Sequence, residues 1–388
     1  MLAFYGWTDH LLLNLLNTKL NVFPHEDADL FVLKLDRVSQ KLLKEIEKTG
    51  AFRHIFFLYK PPFHKEKGPL SIGEKMTRLF SGERYYHSYQ EQLRRQCGTA
   101  SYRMLLSGAF WSETLFLFRY FRHYNPKIKI SMVEEGTTNY SAPDGWQFHC
   151  LPTGRRMEKL MRLVYFLLTW SRARKSVEKI YLYPIEILMR QCDLSVPAEE
   201  IPEINGDNPI CQRILQTVDV PPDLEPYRQH SVFFIGGALA PGYQDRFDET
   251  NHFLELMLNI LGPADLAIKT HPSSGGELLA KGLEDRAFVD RSGGSINSIL
   301  VNLELEKKLL ITRNSSVPFS IKAQTGAEPY IIFIHRLYAF YGKHGDPVTD
   351  EATQQLAQVC AKGKVFIPDT IEELCSALLC WKTEKRLT

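Results

Sequence analysis

Short apolar runs alternate along this chain with segments whose apolar positions recur every three to four residues. Runs of the first kind, bounded by Gly, Pro or polar clusters, predict strands buried on both faces. Segments of the second kind predict amphipathic helices. Strands are expected at 2–5, 30–35, 55–58, 102–106, 128–133, 231–235, 265–269, 287–290, 308–312 and 329–334. Helices are expected at 9–20, 39–49, 113–124, 250–261 and 370–382. In the first helix Leu12, Leu13, Leu15, Leu16 and Leu20 offer a sheet-facing stripe, and Thr8 is placed to cap it. Such alternation is the signature of parallel α/β sheets. It breaks once, where Pro197, Pro202, Pro209, Pro221, Pro222 and Pro226 crowd together. That stretch reads as a linker. The expected architecture is therefore α/β, with two Rossmann-like domains facing a central cleft: 1–193, a Pro-rich linker over 194–230, and 231–388.

Bulk composition narrows the function classes. A length of 388 residues suits one large or two medium domains. A net charge of +2 gives no basic field for nucleic acid, so no nucleic-acid partner is expected. Seven Cys are scattered without a CxxC, which fits free thiols in a reducing compartment. Cys375 and Cys380 are expected to pack from the C-terminal helix. The first residues lack the basic region of a signal peptide, and no apolar run reaches the ~20 residues of a membrane span. A cytoplasmic protein is expected.

Several short motifs stand at expected strand ends, where ligands of open α/β sheets bind. Glu134-Glu135-Gly136 follows the strand at 128–133. Adjacent carboxylates repel, and burial raises one further toward general-base duty. The bland reading is a solvated acidic loop. Lys269-Thr270-His271-Pro272 follows a second strand, and Pro272 holds His271 extended at the crevice. There it would neutralise or protonate a departing phosphate; the alternative is a capping His. Asn314-Ser315-Ser316 precedes Val317-Pro318, so the serines would stand at a helix N-terminus. Free N–H groups and the dipole make that an anion site, or the serines are plain N-caps. Gly236-Gly237 lets a ligand approach the first strand of the second domain, and Asp245, in the loop beyond, is a further candidate base. Asp27-Ala28-Asp29 spells D-x-D but precedes its strand, which argues against a metal site. Over 155–179, eight basic residues face two acidic ones around an apolar centre. This segment is expected either to rest on anionic lipid or to be a core helix with a solvated basic face.

The acidic pair before Gly, the His-Pro and the Ser-Ser, in that order at strand ends, resemble the motifs of bacterial sialyltransferases of the GT-B fold. The resemblance implies an inverting, metal-independent transferase with no cofactor, using a CMP-sialic acid donor and a glycan acceptor, a galactoside of lipopolysaccharide or capsule. Domain 1–193 would bind the acceptor and 231–388 the donor. Glu134 or Glu135 would be the base, with Asp245 the alternative favoured by some related families. His271 would assist departure of CMP. Gly236, Gly237, Lys269, Pro272, Asn314, Ser315 and Ser316 would form the donor site. Tyr5, Trp7, Tyr140 and Trp146 are candidates to stack on sugar faces. The pattern is also similar to that of teichoic-acid-type polymerases using CDP-alcohols, and another CMP-nonulosonic acid is a nearer variant. A non-catalytic nucleotide-sugar-binding protein of a polysaccharide assembly complex is the remaining alternative.

Overall fold

A computed structural model describes residues 1–34, 38–59, 81–109, 112–135, 172–184, 196–237, 244–271, 280, 282–291, 294–338 and 347–387. The chain divides into two compact units, 1–202 and 203–388.

The first unit is built on seven strands: β1 (Leu2–Gly6), β2 (Ala28–Leu33), β3 (His54–Leu58), β4 (Met104–Ser107), β5 (Lys129–Val133), β6 (Val177–Leu182) and β7 (Ala198–Glu200). Their order is β3-β2-β1-β4-β5-β6-β7, and every pair is parallel. The chain steps outward from β1 to β3, then returns to β4 on the other side of β1. The β1/β4 boundary is thus the switch point, with the crevice beyond the strand carboxyl ends. All residues of β1 and β2 are buried, as continuous apolar strands covered on both faces must be. Helix α1 (Asp9–Asn21) begins at Thr8, whose hydroxyl accepts from the Leu11 amide at 3.2 Å. Nine successive residues of α1, Leu11 to Lys19, are buried, so its polar members need internal partners.

The second unit repeats the plan with β8 (Val232–Ile235), β9 (Leu266–Lys269), β10 (Phe288–Asp290), β11 (Leu309–Thr312), β12 (Tyr330–Phe333) and β13 (Val365–Phe366). Their order is β10-β9-β8-β11-β12-β13, again parallel throughout, with the switch point between β8 and β11. Strand periodicity sorts β8 between two cores. Val232 and Phe234 pack with Phe253, Leu254 and Met257 of one helix and with Leu374 and Leu378 of the C-terminal helix Ile371–Leu387. Phe233 and Ile235 pack with Ile299, Leu300, Val317 and Ile321 on the opposite face.

Several expectations need amending. Within the Pro-rich stretch at 194–230, the described residues include β7 and the helices Pro209–Thr217 and Glu225–Gln229. Pro209 and Pro226 occupy first-turn helix positions, where a missing N–H costs nothing. The end of the basic segment 155–179 is strand, because Ile180, Tyr181 and Leu182 bury within β6; Lys179 pairs there with Glu199 at 2.5 Å. Residues 155–171 of that segment lie outside the described residues. Asp29 of the D-x-D is buried in side-chain bonds to Tyr102 at 2.7 Å and His54 at 3.1 Å. Cys97, Cys211, Cys360, Cys375 and Cys380 are free thiols, and Cys380 is exposed instead of packed. Among the described residues, no helix is long and apolar enough to cross a membrane.

Candidate active site

In the first unit, Glu134 and Glu135 leave β5 at its carboxyl end. They do not behave alike. Glu134 is fully buried. Its carboxylate meets His10 Nε2 at 2.7 Å, and the Asn14 side-chain amide donates to both its carboxylate and, at 3.1 Å, its carbonyl. Tyr183, beyond β6, donates its hydroxyl to Asn14 Oδ1 at 2.7 Å. Burial alone would lower the proton affinity of His10, but the charge and hydrogen bond of Glu134 outweigh it and raise it above the ordinary histidine value.

Glu135 projects toward β1 and β4. Its Oε2 is buried without a hydrogen-bond partner. Burial first, then the neighbouring Glu134 charge, push its carboxyl up to about 8, against a hydrogen bond from Trp7. A carboxyl poised near neutrality and short of a partner can take a proton from a ligand. Gly108, just beyond β4, makes room for it: a Cβ there would lie 2.8 Å from both Glu135 Cβ and Oε2. Tyr5 and Trp7, expected to face a sugar, are instead largely internal. Tyr5 is 0 % and Trp7 7 % exposed, with ring centroids 5.2 Å apart, because β1 is central in its sheet. Gly136, Tyr140 and Trp146 lie outside the described residues.

In the second unit, strand register assembles the site. Ile235 aligns with Lys269 on β9 and with Thr312 on β11. Two residues further on, Gly237, His271 and Asn314 follow three adjacent strands at their carboxyl ends. Gly237 is needed there, since a Cβ would sit 2.6 Å from Asn314 Oδ1. Arg313 Nε donates to the same oxygen at 3.2 Å. Arg313 is 5 % exposed and its guanidinium carbon stands 5.5 Å from the Tyr338 ring centre. Helix Val317–Thr325 starts at Ser316, which makes no side-chain capping bond, while Ser315 accepts from the Val317 amide at 3.3 Å. Ser315 is itself anchored by Thr312, whose hydroxyl accepts from the Ser315 amide at 3.1 Å.

Lys269 has a different setting from the rest. It is 4 % exposed and ion-paired to Asp290 at 3.0 Å, the residue that β9–β10 register sets beside it. Tyr227 donates to the same Asp290 oxygen at 2.5 Å. The ammonium is thus committed inside the sheet edge. Asp245 does not lie in a loop. Helix Gln244–Leu261 starts earlier than expected because buried Phe247 extends its apolar face, placing Asp245 in the first turn. Pro272 lies outside the described residues. A groove of about 480 Å³ opens elsewhere, lined by Leu215, Val301, Leu305 and Ala327 near the strand amino ends, away from His271 and Asn314.

Sequence reading missed His10, Asn14, Tyr183 and Arg313. The first two had a signal: polar residues at a four-residue interval inside a Leu-rich helix. Among the described residues, no group of three or more His, Cys, Asp or Glu is arranged to hold a metal ion.

No protein-family model matches the chain, and no curated protein matches it. Solved structures do. The glycosyltransferase of kitacinnamycin is similar with a TM-score of 0.50 and 11% identity, over 100% of this chain and 94% of that one. The glycosyltransferase SnogD from Streptomyces nogalater gives 0.47 and 10%, over 99% and 96%. Acinetobacter baumannii MurG gives 0.44 and 11%, over 99% of this chain and 92% of that one. With two parallel Rossmann-like sheets, and with the kitacinnamycin glycosyltransferase overlapping 100% of this chain at a TM-score of 0.50, the fold is that of GT-B glycosyltransferase structures.

Proposed function

We propose that the protein is an inverting glycosyltransferase that moves sialic acid from CMP-sialic acid to a hydroxyl of a galactoside. The observation that carries this reading is the divided carboxylate pair. Glu134 is held by His10 and Asn14, while Glu135 keeps a buried oxygen without a partner and a proton affinity near neutrality. Glu135 is therefore the base in this reading, in preference to Glu134 and Asp245. It accepts the acceptor hydroxyl proton as that oxygen attacks the anomeric carbon and the bond to CMP breaks. His271, in line with Gly237 and Asn314, faces the leaving phosphate and offsets its growing charge. Ser315, Ser316 and the first turn of their helix hold that phosphate, as helix N-termini do. Lys269, tied to Asp290, shapes the strand end below His271. The motif resemblance supplies the CMP-sugar; the first domain takes the acceptor and the second the donor.

The direct test incubates the purified chain with CMP-sialic acid, with and without a galactoside, and follows CMP release. Acceptor-dependent release is expected. Hydrolysis of CDP-glycerol in its place would favour the phospho-alcohol transferase, and binding without turnover the scaffold protein.

The geometry sets two further outcomes. Since Glu135 must be deprotonated to act, kcat/KM should climb with pH through about 8 and level above it. A flat profile from pH 6 to 9 would remove Glu135 from that role. Gly108→Ala should force Glu135 aside, because its new methyl would occupy the space of the carboxyl. Misplacement on the 1 Å scale costs roughly 10²-fold in turnover. Steady-state kinetics on the folded variant checks this, and unchanged kcat would show that Gly108 does not set the position of the carboxylate.

A further inference from the structure

Helix α1 carries a polar stripe that its packing does not require. His10, Asn14, Asn17 and Asn21 recur at intervals of four, three and four residues, which puts them on one face. Asn14 and Asn17 are fully buried among Leu11, Leu12, Leu13, Leu15 and Leu16. An apolar residue at either position would suit that burial better, and a buried amide is stabilising only when bonded. The stripe is bonded along its length. Asn21 donates to Asn17 Oδ1 at 2.8 Å, Asn17 donates to the Pro202 carbonyl at 2.8 Å, and Tyr183 donates to Asn14 Oδ1. At its far end the chain of bonds stops on Glu134.

The carboxylate at that end is fully partnered. The two hydrogens of the Asn14 amide reach the carbonyl and the carboxylate of Glu134. His10 Nε2 then serves as donor to the same carboxylate at 2.7 Å. Around Glu134 stand His10 and Asn14 from α1, Tyr183 through Asn14, and Glu135 next in sequence. Around Glu135 stand Trp7 after β1, Gly108 after β4 and Leu11 of α1. Burial first, then Glu113, Tyr89 and Glu135, raise the proton affinity of the nearby Tyr5 hydroxyl.

We infer that His10, seated by Asn14, is a positioning residue that neutralises and immobilises Glu134, so that proton exchange with the acceptor falls to Glu135. The inference rests on the reading of Glu135 as the base. Without the His10 cation, two uncompensated carboxylates would share one site, and the pair would hold its last proton to higher pH. The structure thus gives His10 an effect on the pH profile that a packing role would not produce.

The test uses the full chain and His10→Gln, which keeps a neutral donor and deletes the charge. The acid limb of kcat/KM is expected to move up by about one pH unit, the lower end of the effect of a removed neighbouring charge. At pH 7 the variant should be about 10-fold slower and should recover at high pH. The side-chain ¹³C resonance of Glu135 should show its upper titration step moved in the same direction. His10→Lys, which returns a positive charge, should restore the step toward its original position. Should His10→Gln fail to fold, Asn14→Ser removes the amide bonds to Glu134 and is expected to move the step the same way. An unmoved titration step, or a loss of kcat equal at every pH, overturns the inference. Absence of turnover by the unsubstituted chain overturns the proposed reaction instead, and the carbon resonance still reports on His10.

Discussion

Glu135→Gln is expected to lower kcat by roughly 10²–10⁴-fold, the range that a positioned general base supplies. The substitution keeps the shape of the side chain, the room made by Gly108 and the contact to Trp7, so donor binding should be little changed. It removes the capacity to take a proton. Stability gives an independent control. The folded chain holds a proton on Glu135 up to about pH 8, whereas the unfolded chain releases it near 4.5. Between those values the folded state binds more protons, so stability falls as pH rises and levels off above pH 8. Glutamine carries no such penalty. The variant should therefore gain in Tm relative to the original chain as pH goes from 5 to 8, while losing its activity. Thermal melts at the two pH values, beside rates at saturating donor, separate these effects. Equal losses of stability and rate would mark Glu135 as a structural residue.

His271→Ala is expected to cost a comparable 10²–10⁴-fold in turnover with CMP-sialic acid, roughly the worth of one positioned acid–base group. Its place after β9, in the row with Gly237 and Asn314, sets it at the crevice end of the sheet. In the proposed reaction, removing the imidazole would leave the departing phosphate without that partner, so the loss should appear in kcat more than in KM. A donor with a better leaving group should recover part of the rate, because it needs less help on departure. A scaffold protein predicts otherwise: the variant would support the same polysaccharide phenotype in cells as the original chain. Unimpaired turnover by purified His271→Ala would remove His271 from the reaction.

The fold was largely readable because its central strands are continuous apolar runs. The runs leading into Glu134, His271 and Asn314 became β5, β9 and β11 with bounds shifted by one residue. Elements at the sheet margins were not readable. β6 opens with Val177-Glu178-Lys179, half solvated, and β7 is Ala198-Glu199-Glu200, so neither has an apolar signature. Their pairing comes from the neighbouring strand, which is tertiary information. Proline clustering misled for a related reason: Pro209 and Pro226 mark helix starts as well as they would mark a linker.

The candidate site was readable where it is local. His271 stands just past an apolar strand, and the Ser315-Ser316 pair just ahead of a helix opened by Pro318, so both are visible in the sequence. The partners of Glu134 and Lys269 come from far along the chain. Glu134 is 124 residues from His10 and 120 from Asn14, and Lys269 meets Asp290 only through the register of β9 and β10. No local pattern tells which of two adjacent glutamates will be clamped and which left open. That distinction separates Glu135 from its neighbour, and burial combined with a non-local histidine creates it.

One measurement bears most directly on the central claim. Purified protein is mixed with CMP-sialic acid, with and without a galactoside acceptor, and free CMP is followed with time. The account predicts CMP release that depends on the acceptor and is lost in Glu135→Gln and His271→Ala. No release under any condition, with CDP-glycerol hydrolysed in its place, would contradict it.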